Sequence, residues 1–216
     1  MPLARADVRD VCFAHWPVEA GELAARLPAA LAPATRDGSA WVSVLGQRTR
    51  AGLRGVSWRY EYAQLAVRTY VVPVDSGEPS PEVGVHFLDV ESASRFASVG
   101  ARLLYDVPFR HTAVTHRRAG NEFEVTGDAF RARFEPRGDP AVADPDILAG
   151  WLTDRYRYYL PDGSHGVAGH PPWKLAAASV SIEENRLFDR LDLPEPVGDA
   201  VFRYSPGAEF RLKRQP

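Results

Sequence analysis

A chain of 216 residues that is 45% hydrophobic and 25% charged can bury a substantial core, and its length fits a single domain spanning residues 1–216. Its formal net charge of −2 leaves no basic field to hold nucleic acid by counterion release. One cysteine excludes an internal disulfide, and there is neither an apolar leader nor a run of the roughly 18 apolar residues a membrane helix needs, so a cytoplasmic protein is expected.

The N-terminal stretch "DVCFAHW" reads as a strand, with Cys12 as a small buried hydrophobe. Leu23, Leu27 and Leu31 then recur at four-residue spacing, but Pro28 limits any helix there to a short packing element. Strand patterns follow in "AWVSVLGQR" and in the long run "RYEYAQLAVRTYVV". In that run Ala63, Leu65, Val67 and Val71 form a core face. The opposite face carries Tyr60, Tyr62, Gln64, Ala66, Arg68 and Tyr70, an aromatic and polar set suited either to a partly wet cavity or to solvent. After the strand "VGVHFLDV", Ser92 is the expected N-cap of a helix carrying Phe96, Val99, Leu103 and Leu104. Pro108 turns the chain into the strand "RHTAVTHRR". The strands "EFEVTG" and "AFRARFE" form a meander whose charged face, Arg131, Arg133 and Glu135, is solvated. Asp144 as N-cap and Pro145 at the first helical position predict a helix continuing through Trp151, Arg155 and Tyr159. Strands are expected at "WKLAAASVSI", "VFRYS" and "EFRLKR", with a short helix at "ENRLFDRL". Loops are expected at Asp75–Glu82, Glu135–Pro145 and His170–Trp173. Strands in runs define an α+β chain, mostly an antiparallel curved β-sheet or barrel with three or four peripheral helices.

The chain carries no G-x-x-x-x-G-K-[ST], G-x-G-x-x-G or H-E-x-x-H pattern. In "DGSHG", Asp162 stands where a nucleophile elbow needs its first glycine. His165 and His170 flank a glycine-rich loop without neighbouring cysteine or carboxylate sets, so they read as turn histidines, and neither a metal nor a cofactor is expected.

The segments "FAHWPVEAGELAARLPAALAPATRDGSAWVSV", "LAVRTYVV", "GVHFLDVESASRFASVGARLLYDVPFRHTAV", "LTDRYRYY" and "HPPWKLAAASV" resemble, in order and spacing, a bacterial and archaeal family of unknown function, the YqjF-like group (domain of unknown function 2071). That resemblance implies an acetoacetate decarboxylase-like fold, a curved antiparallel barrel around a ligand cavity. In the decarboxylases a proline precedes two adjacent lysines, one of which forms the Schiff base; here Pro108 is followed by Phe109, Arg110 and His111. Neither a phenylalanine nor a permanently charged guanidinium condenses with a ketone, so that decarboxylation is not expected. Lys174, next to the double proline, is expected to reach solvent and not to replace the missing nucleophile. The family pattern usually has Glu and Asn ahead of Arg-Thr-Tyr-Val; this chain has Gln64 and Ala66 there, with Arg68 and Tyr70 retained.

Candidate ligand-binding residues are Arg68, Arg102, Tyr105, Tyr70, Gln64, Arg155, Tyr156 and Trp173, a set suited to a small carboxylate, with His111 as candidate acid or base. Each has a structural alternative: Arg102 can close its helix, Tyr156 and Trp173 can be core aromatics, and Arg155 can pair with Asp154. Arg102 and His111 are expected to face the same cavity as Arg68, meeting either a ligand anion or an acid such as Glu61, Asp89 or Asp106. Two functions stay open: a cavity that binds a small carboxylate, with or without catalysis, and a non-catalytic domain for sensing or for assembly with itself or another protein.

Overall fold

The computed structural model describes residues 4–53, 60–75 and 82–214, and their side chains apart from those of residues 4, 52–53, 100–101, 103–105 and 212–214. In chain order the elements are β1 (Ala4–Val18), α1 (Ala20–Ala24), β2 (Leu31–Pro33), β3 (Ala40–Leu53), β4 (Tyr60–Pro73), β5 (Gly84–Ser92), α2 (Arg95–Tyr105) and β6 (Phe109–His111). They continue with β7 (Thr115–Ala119), β8 (Glu122–Thr126), β9 (Phe130–Val142), α3 (Leu148–Thr153), β10 (Arg157–Tyr159), β11 (His165–Gly169), β12 (Lys174–Asn185), α4 (Leu187–Arg190) and β13 (Val201–Arg214).

Strands β1, β3, β4, β5, β10, β11 and β13 pair in that order, and β13 returns to β1 to close a seven-stranded barrel. The pairing is antiparallel except at the β5–β10 seam, which is parallel and rests on one registered pair, Tyr158 with Val85. From β13 the sheet also branches through β12, β9, β8 and β7, an antiparallel wing. The wing covers the outer face of the barrel. Phe123, Val125, Phe130, Ala132 and Phe134 pack there against Cys12, Ala14, Trp16, Val42, Val44, Leu65 and Val67. The alternate residues of the same barrel strands, Val11, Phe13, Trp41, Leu45, Ala66 and Tyr70, fill a second core inside the barrel. Because β1, β3 and β4 are covered on both faces, their sequences are near-continuous apolar runs and not the half-polar alternation of an exposed sheet. Gly46 sits where a Cβ would lie 2.4 Å from Val125 Cγ1, so glycine is what lets the wing approach β3.

Several predicted boundaries move. Ser94, not Ser92, caps α2: its hydroxyl accepts the Ala97 N–H at 3.2 Å, while Ser92 Oγ accepts the Ser94 N–H. Phe96, 87% exposed, and Val99 point to solvent, while the other two residues of the apolar spacing that predicted α2, Leu103 and Leu104, have side chains outside the described ones. The α3 helix is shorter than its start signals implied. Asp144 closes a turn by accepting the Asp146 N–H at 2.9 Å, and the helix runs only from Leu148 to Thr153. Arg157–Tyr159 becomes strand β10 because the barrel needs a stave between β5 and β11. There Tyr158 enters the barrel core and Tyr159 packs outside with Leu31 and Val71, the two-residue alternation of a strand. "RHTAVTHRR" divides into β6 and β7, and β9 runs through Pro136 to Val142 where a loop was expected. "VFRYS" and "EFRLKR" are one strand, β13, passing through Gly207 at φ +120°. Most of the expected loop Asp75–Glu82 lies outside the described residues. Among the described residues no helix is long and apolar enough to cross a membrane.

Candidate functional site: a buried Arg, His and Tyr cluster in the barrel

Strand register builds the site. His15 on β1 lies opposite Ser43 on β3, and Ser43 opposite Arg68 on β4, so all three side chains project to the interior in one row. One strand further round, Arg203 of β13 lies opposite Phe13. Tyr70 stands two residues beyond Arg68 on the same face. His15, Ser43 and Tyr70 are completely buried and Arg68 is 7% exposed.

A hydrogen-bonded chain joins them. Tyr70 OH donates to the Leu152 carbonyl at 2.6 Å, and Arg68 Nη2 donates to the same oxygen at 3.0 Å. Ser43 Oγ lies 2.6 Å from Tyr70 OH and 2.6 Å from His15 Nδ1. Two buried polar atoms at this chain have no partner: His15 Nε2 and Arg68 Nε. Among the described residues neither Arg68 nor Arg203 forms an ion pair with a carboxylate, and Arg155 has none within contact distance although Asp154 and Glu82 lie near enough to attract it.

Around the C-terminus of α3 the contacts are aromatic. Trp173 donates its indole N–H to the Thr153 carbonyl at 3.1 Å and meets Phe13 edge-on at 5.3 Å. His170 packs between Trp173 at 5.1 Å and Tyr156 at 4.8 Å. Arg155 donates to the Trp151 carbonyl at 2.7 Å and lies over the Trp151 ring at 5.0 Å, and burial lowers its proton affinity. Three successive α3 carbonyls, those of Trp151, Leu152 and Thr153, thus take the donors that surround the cluster.

Of the residues predicted from sequence, Arg68 and Tyr70 lie at the centre. Gln64 is buried on the same strand face, bonded to Thr49 at 3.2 Å, and Arg155, Tyr156 and Trp173 gather at α3. Arg102 and His111 do not belong to the site. Arg102 is exposed on α2 and His111 is exposed at the end of β6, which pairs with β5 outside the seven barrel staves. Tyr105 is the last residue of α2, with a side chain outside the described ones. Alternation along β6 turns Arg110, not His111, towards an acidic partner set. Arg110 bonds Asp89 at 2.8 Å and Glu91 at 2.7 Å, and Arg190 of α4 reaches Asp89 at 2.5 Å. Glu91, fully buried, also accepts the Thr112 hydroxyl at 3.1 Å and the Asp128 N–H at 2.9 Å. The segment from Gly100 to Val114 is therefore a structural corner. Glu61 pairs with Arg48 and Arg50, far from this corner in sequence.

Sequence reasoning missed His15, Ser43 and Arg203. "VCFAHW" reads as uniformly apolar, yet extending the alternation of Val11 and Phe13 by one step places His15 inward.

Burial, and then the charges of Arg68 and Arg203, hold His15 well below the ordinary histidine value. Burial likewise lowers His86, His116 and His170. Such a histidine is neutral when folded and takes up its proton on unfolding once the pH falls below its ordinary value of about 6.5, so acid favours the unfolded chain. The Tm is expected to hold between about pH 8 and pH 7 and to decline from about pH 6.5 to pH 5, a decline that His15→Phe makes shallower. A melting series across that range checks it, and a Tm that climbs on acidification would contradict a neutral His15.

The barrel and wing define the class. In solved structures the same architecture is found in acetoacetate decarboxylase of Legionella pneumophila (TM-score 0.64, 11% identity, covering 99% of this chain and 87% of that one). It is found equally in the enduracididine biosynthesis enzyme MppR complexed with pyruvate (TM-score 0.64, 10% identity, 99% and 91%). Identities this low speak for the fold alone: an acetoacetate decarboxylase-like barrel. Within that fold the chain belongs to the DUF2071 family of uncharacterized conserved proteins, whose model matches residues 5–209. It is 29% identical over 218 residues to the uncharacterized protein YqjF of Bacillus subtilis (strain 168), covering 94% of this chain and 87% of that protein.

Proposed function

We propose that this chain binds a small carboxylate inside its barrel and does so without Schiff-base chemistry. The observation that carries this reading is Arg68: a buried guanidinium with an unpartnered Nε, sharing one carbonyl oxygen with Tyr70 and lacking any described carboxylate. A buried cation without a counter-ion is costly, and an anion is what relieves it. The Leu152 carbonyl takes the two donors, Tyr70 OH and Arg68 Nη2, that a carboxylate oxygen would take. A ligand that replaces it shifts α3 and the indoles of Trp151 and Trp173 with it. Pyruvate, the molecule in the MppR complex, is of the right chemical class. Lysine chemistry has no support at this place: Phe109 and Arg110 follow Pro108, Arg110 is held by Asp89 and Glu91, and Lys174 is exposed on β12 of the wing. The buried free thiol of Cys12 accords with a reducing cytoplasm, where we place the protein.

Small carboxylates at about 100 times their Kd are expected to stabilise the fold by about 2.7 kcal/mol, a rise of roughly 5 to 10 °C in Tm for a chain of this size. Tryptophan emission is expected to change in parallel. Arg68→Met, which replaces a buried charge by an apolar side chain of similar volume, keeps the fold and abolishes both responses. A variant as responsive as the parent would place the carboxylate elsewhere.

A further inference from the structure

We propose that the free edge of β12, residues 178–182, pairs antiparallel with the same edge of a second copy of this chain, joining two wings into one sheet across a twofold axis at Val180. This contact does not depend on what the barrel binds.

Which backbone groups face that edge follows from β9. At the β8–β9 turn the Phe130 carbonyl accepts the Gly127 N–H at 2.7 Å, and further along β9 the Pro136 carbonyl accepts Asn121 Nδ2 at 3.2 Å. The peptide groups of Phe130, Ala132, Phe134 and Pro136 thus turn towards β8, and those of Arg133 and Glu135 towards β12. Proline has no N–H to offer β12, which agrees with that direction. The register sets Ala178 opposite Pro136, Ser179 opposite Glu135, Val180 opposite Phe134, Ser181 opposite Arg133 and Ile182 opposite Ala132. Ser179 and Ser181 therefore make the bonds to β9, and the N–H and C=O groups of Ala178, Val180 and Ile182 point the other way. β13 is registered with β12 only at Ala176 and Ala177, so among the described residues no strand is paired with that side.

Charges, prolines and bulges are the usual guards of an open sheet edge. The opposite edge of the wing, β7, has them in the exposed Arg117 and Arg118. On β12 the guards stand outside the stretch: bulges lie between Leu175 and Ala177 and between Ile182 and Glu184, and Glu183 and Glu184 are taken by Arg133 and Arg186. Between the bulges runs a regular, uncharged strand with Ser179, Ser181 and Ile182 exposed. That edge matches itself. A twofold axis at Val180 sets Ala178 against the partner's Ile182 and Val180 against the partner's Val180, so outward donors meet outward acceptors and a small side chain meets a large one. On the other face Ser179 stands beside the partner's Ser181, a pair that hydrogen-bonds across strands. β12 begins at Lys174 and ends in Glu183 and Glu184, so antiparallel pairing runs each acidic end towards the other copy's basic beginning, where parallel pairing would set acid beside acid. So short a strand pair covers less than the roughly 1,200 Å² of a stable interface, which makes the dimer a reversible one.

Sedimentation velocity of the whole chain from about 1 μM to about 1 mM is expected to show monomer passing into dimer, and nothing larger, because a twofold contact closes on itself. Val180→Pro removes an N–H that β9 does not use, so it is expected to abolish the dimer while the chain still melts cooperatively. Two charge variants fix the register and serve if proline disturbs the fold. Ser179→Glu with Ser181→Glu, and Ser179→Lys with Ser181→Lys, each set like charges across the axis and are expected to stay monomeric, whereas an equal mixture of the two forms a heterodimer. A parent that is monomeric throughout, its edge left to a strand of another protein or to none, would overturn the proposal. So would a dimer that survives in these variants, or a mixture that yields no heterodimer.

Discussion

Replacing Glu91 by alanine is expected to destabilise the protein by about 3 kcal/mol, a fall of roughly 6 to 12 °C in Tm. The carboxylate is fully buried and serves four donors on four parts of the chain: Arg110 of β6, Thr112, the Asp128 amide in the β8–β9 turn, and Arg190 of α4 at 3.6 Å. Alanine leaves a part-buried amide and hydroxyl without their acceptor and takes one of two close anions from a pair of arginines. The arginines are each about a quarter to a third exposed, so water recovers part of the loss, which puts the figure at the low end for a broken buried pair. Glu91→Gln keeps the shape and one acceptor and is expected to lose about half as much. Asp128→Ala removes only the exposed 3.3 Å arm of the same network and is expected to change stability by less than about 1 kcal/mol. Urea melts of the three variants check the order, and an Asp128 variant as damaged as the Glu91 one would show that the network is not organised around Glu91.

Gly207→Ala is expected to cost about 3 kcal/mol or more and to lower the yield of folded protein. The residue has φ +120°, a region L side chains rarely adopt, and a Cβ there would lie 2.0 Å from the Val8 carbonyl oxygen. The clash is with backbone and cannot be relieved by a rotamer change. Gly207 lies opposite Arg9, next to Asp10 at φ 50° and to the bulge that β1 carries against β3 between Arg9 and Cys12. Both strands bend there together, and the bend keeps β13 paired to β1 around the barrel. Gly120→Ala supplies the control, because its positive φ meets no atom within 4 Å; it should cost no more than about 1 kcal/mol. Similar losses for the two variants would mean that the conformation and not the close approach sets the effect.

The barrel itself was legible because strand patterns come in runs and not in β-α-β alternation, although β1 and β3, covered on both faces, read as near-continuous apolar stretches. The long run ending in "RTYVV" separated its two faces correctly, and Arg68 and Tyr70 do point into the barrel. The errors arise where tertiary demand outweighs local preference. Asp144 and Pro145 form a turn ahead of α3 and not its first turn, and barrel closure recruits Arg157–Tyr159 as a stave. His111 was given the wrong face because Ser92↔His111 and Glu91↔Arg110 are set by pairing with β5, which no local pattern around Pro108 reveals. His15 was passed over because a polar residue inside an apolar run looks like core when the far side of the strand is unknown.

The closure between β1 and β13 also governs how the chain must be made. Ala4 pairs with Leu212 and His15 with Val201, so β1 gains its second neighbour only when the chain as far as β13 is available. Until then the inward face of β1, with Val11, Phe13 and His15, has neither its neighbour Arg203 nor a closed interior. Contacts of such long sequence separation form slowly and leave strand edges unpaired in the meantime. A ribosome-bound chain can therefore assemble the β7–β8–β9 meander early, but the closed interior holding Arg68 and Arg203 forms only after β13 has been made, and a product truncated before β13 would present β1 as an open edge to its neighbours.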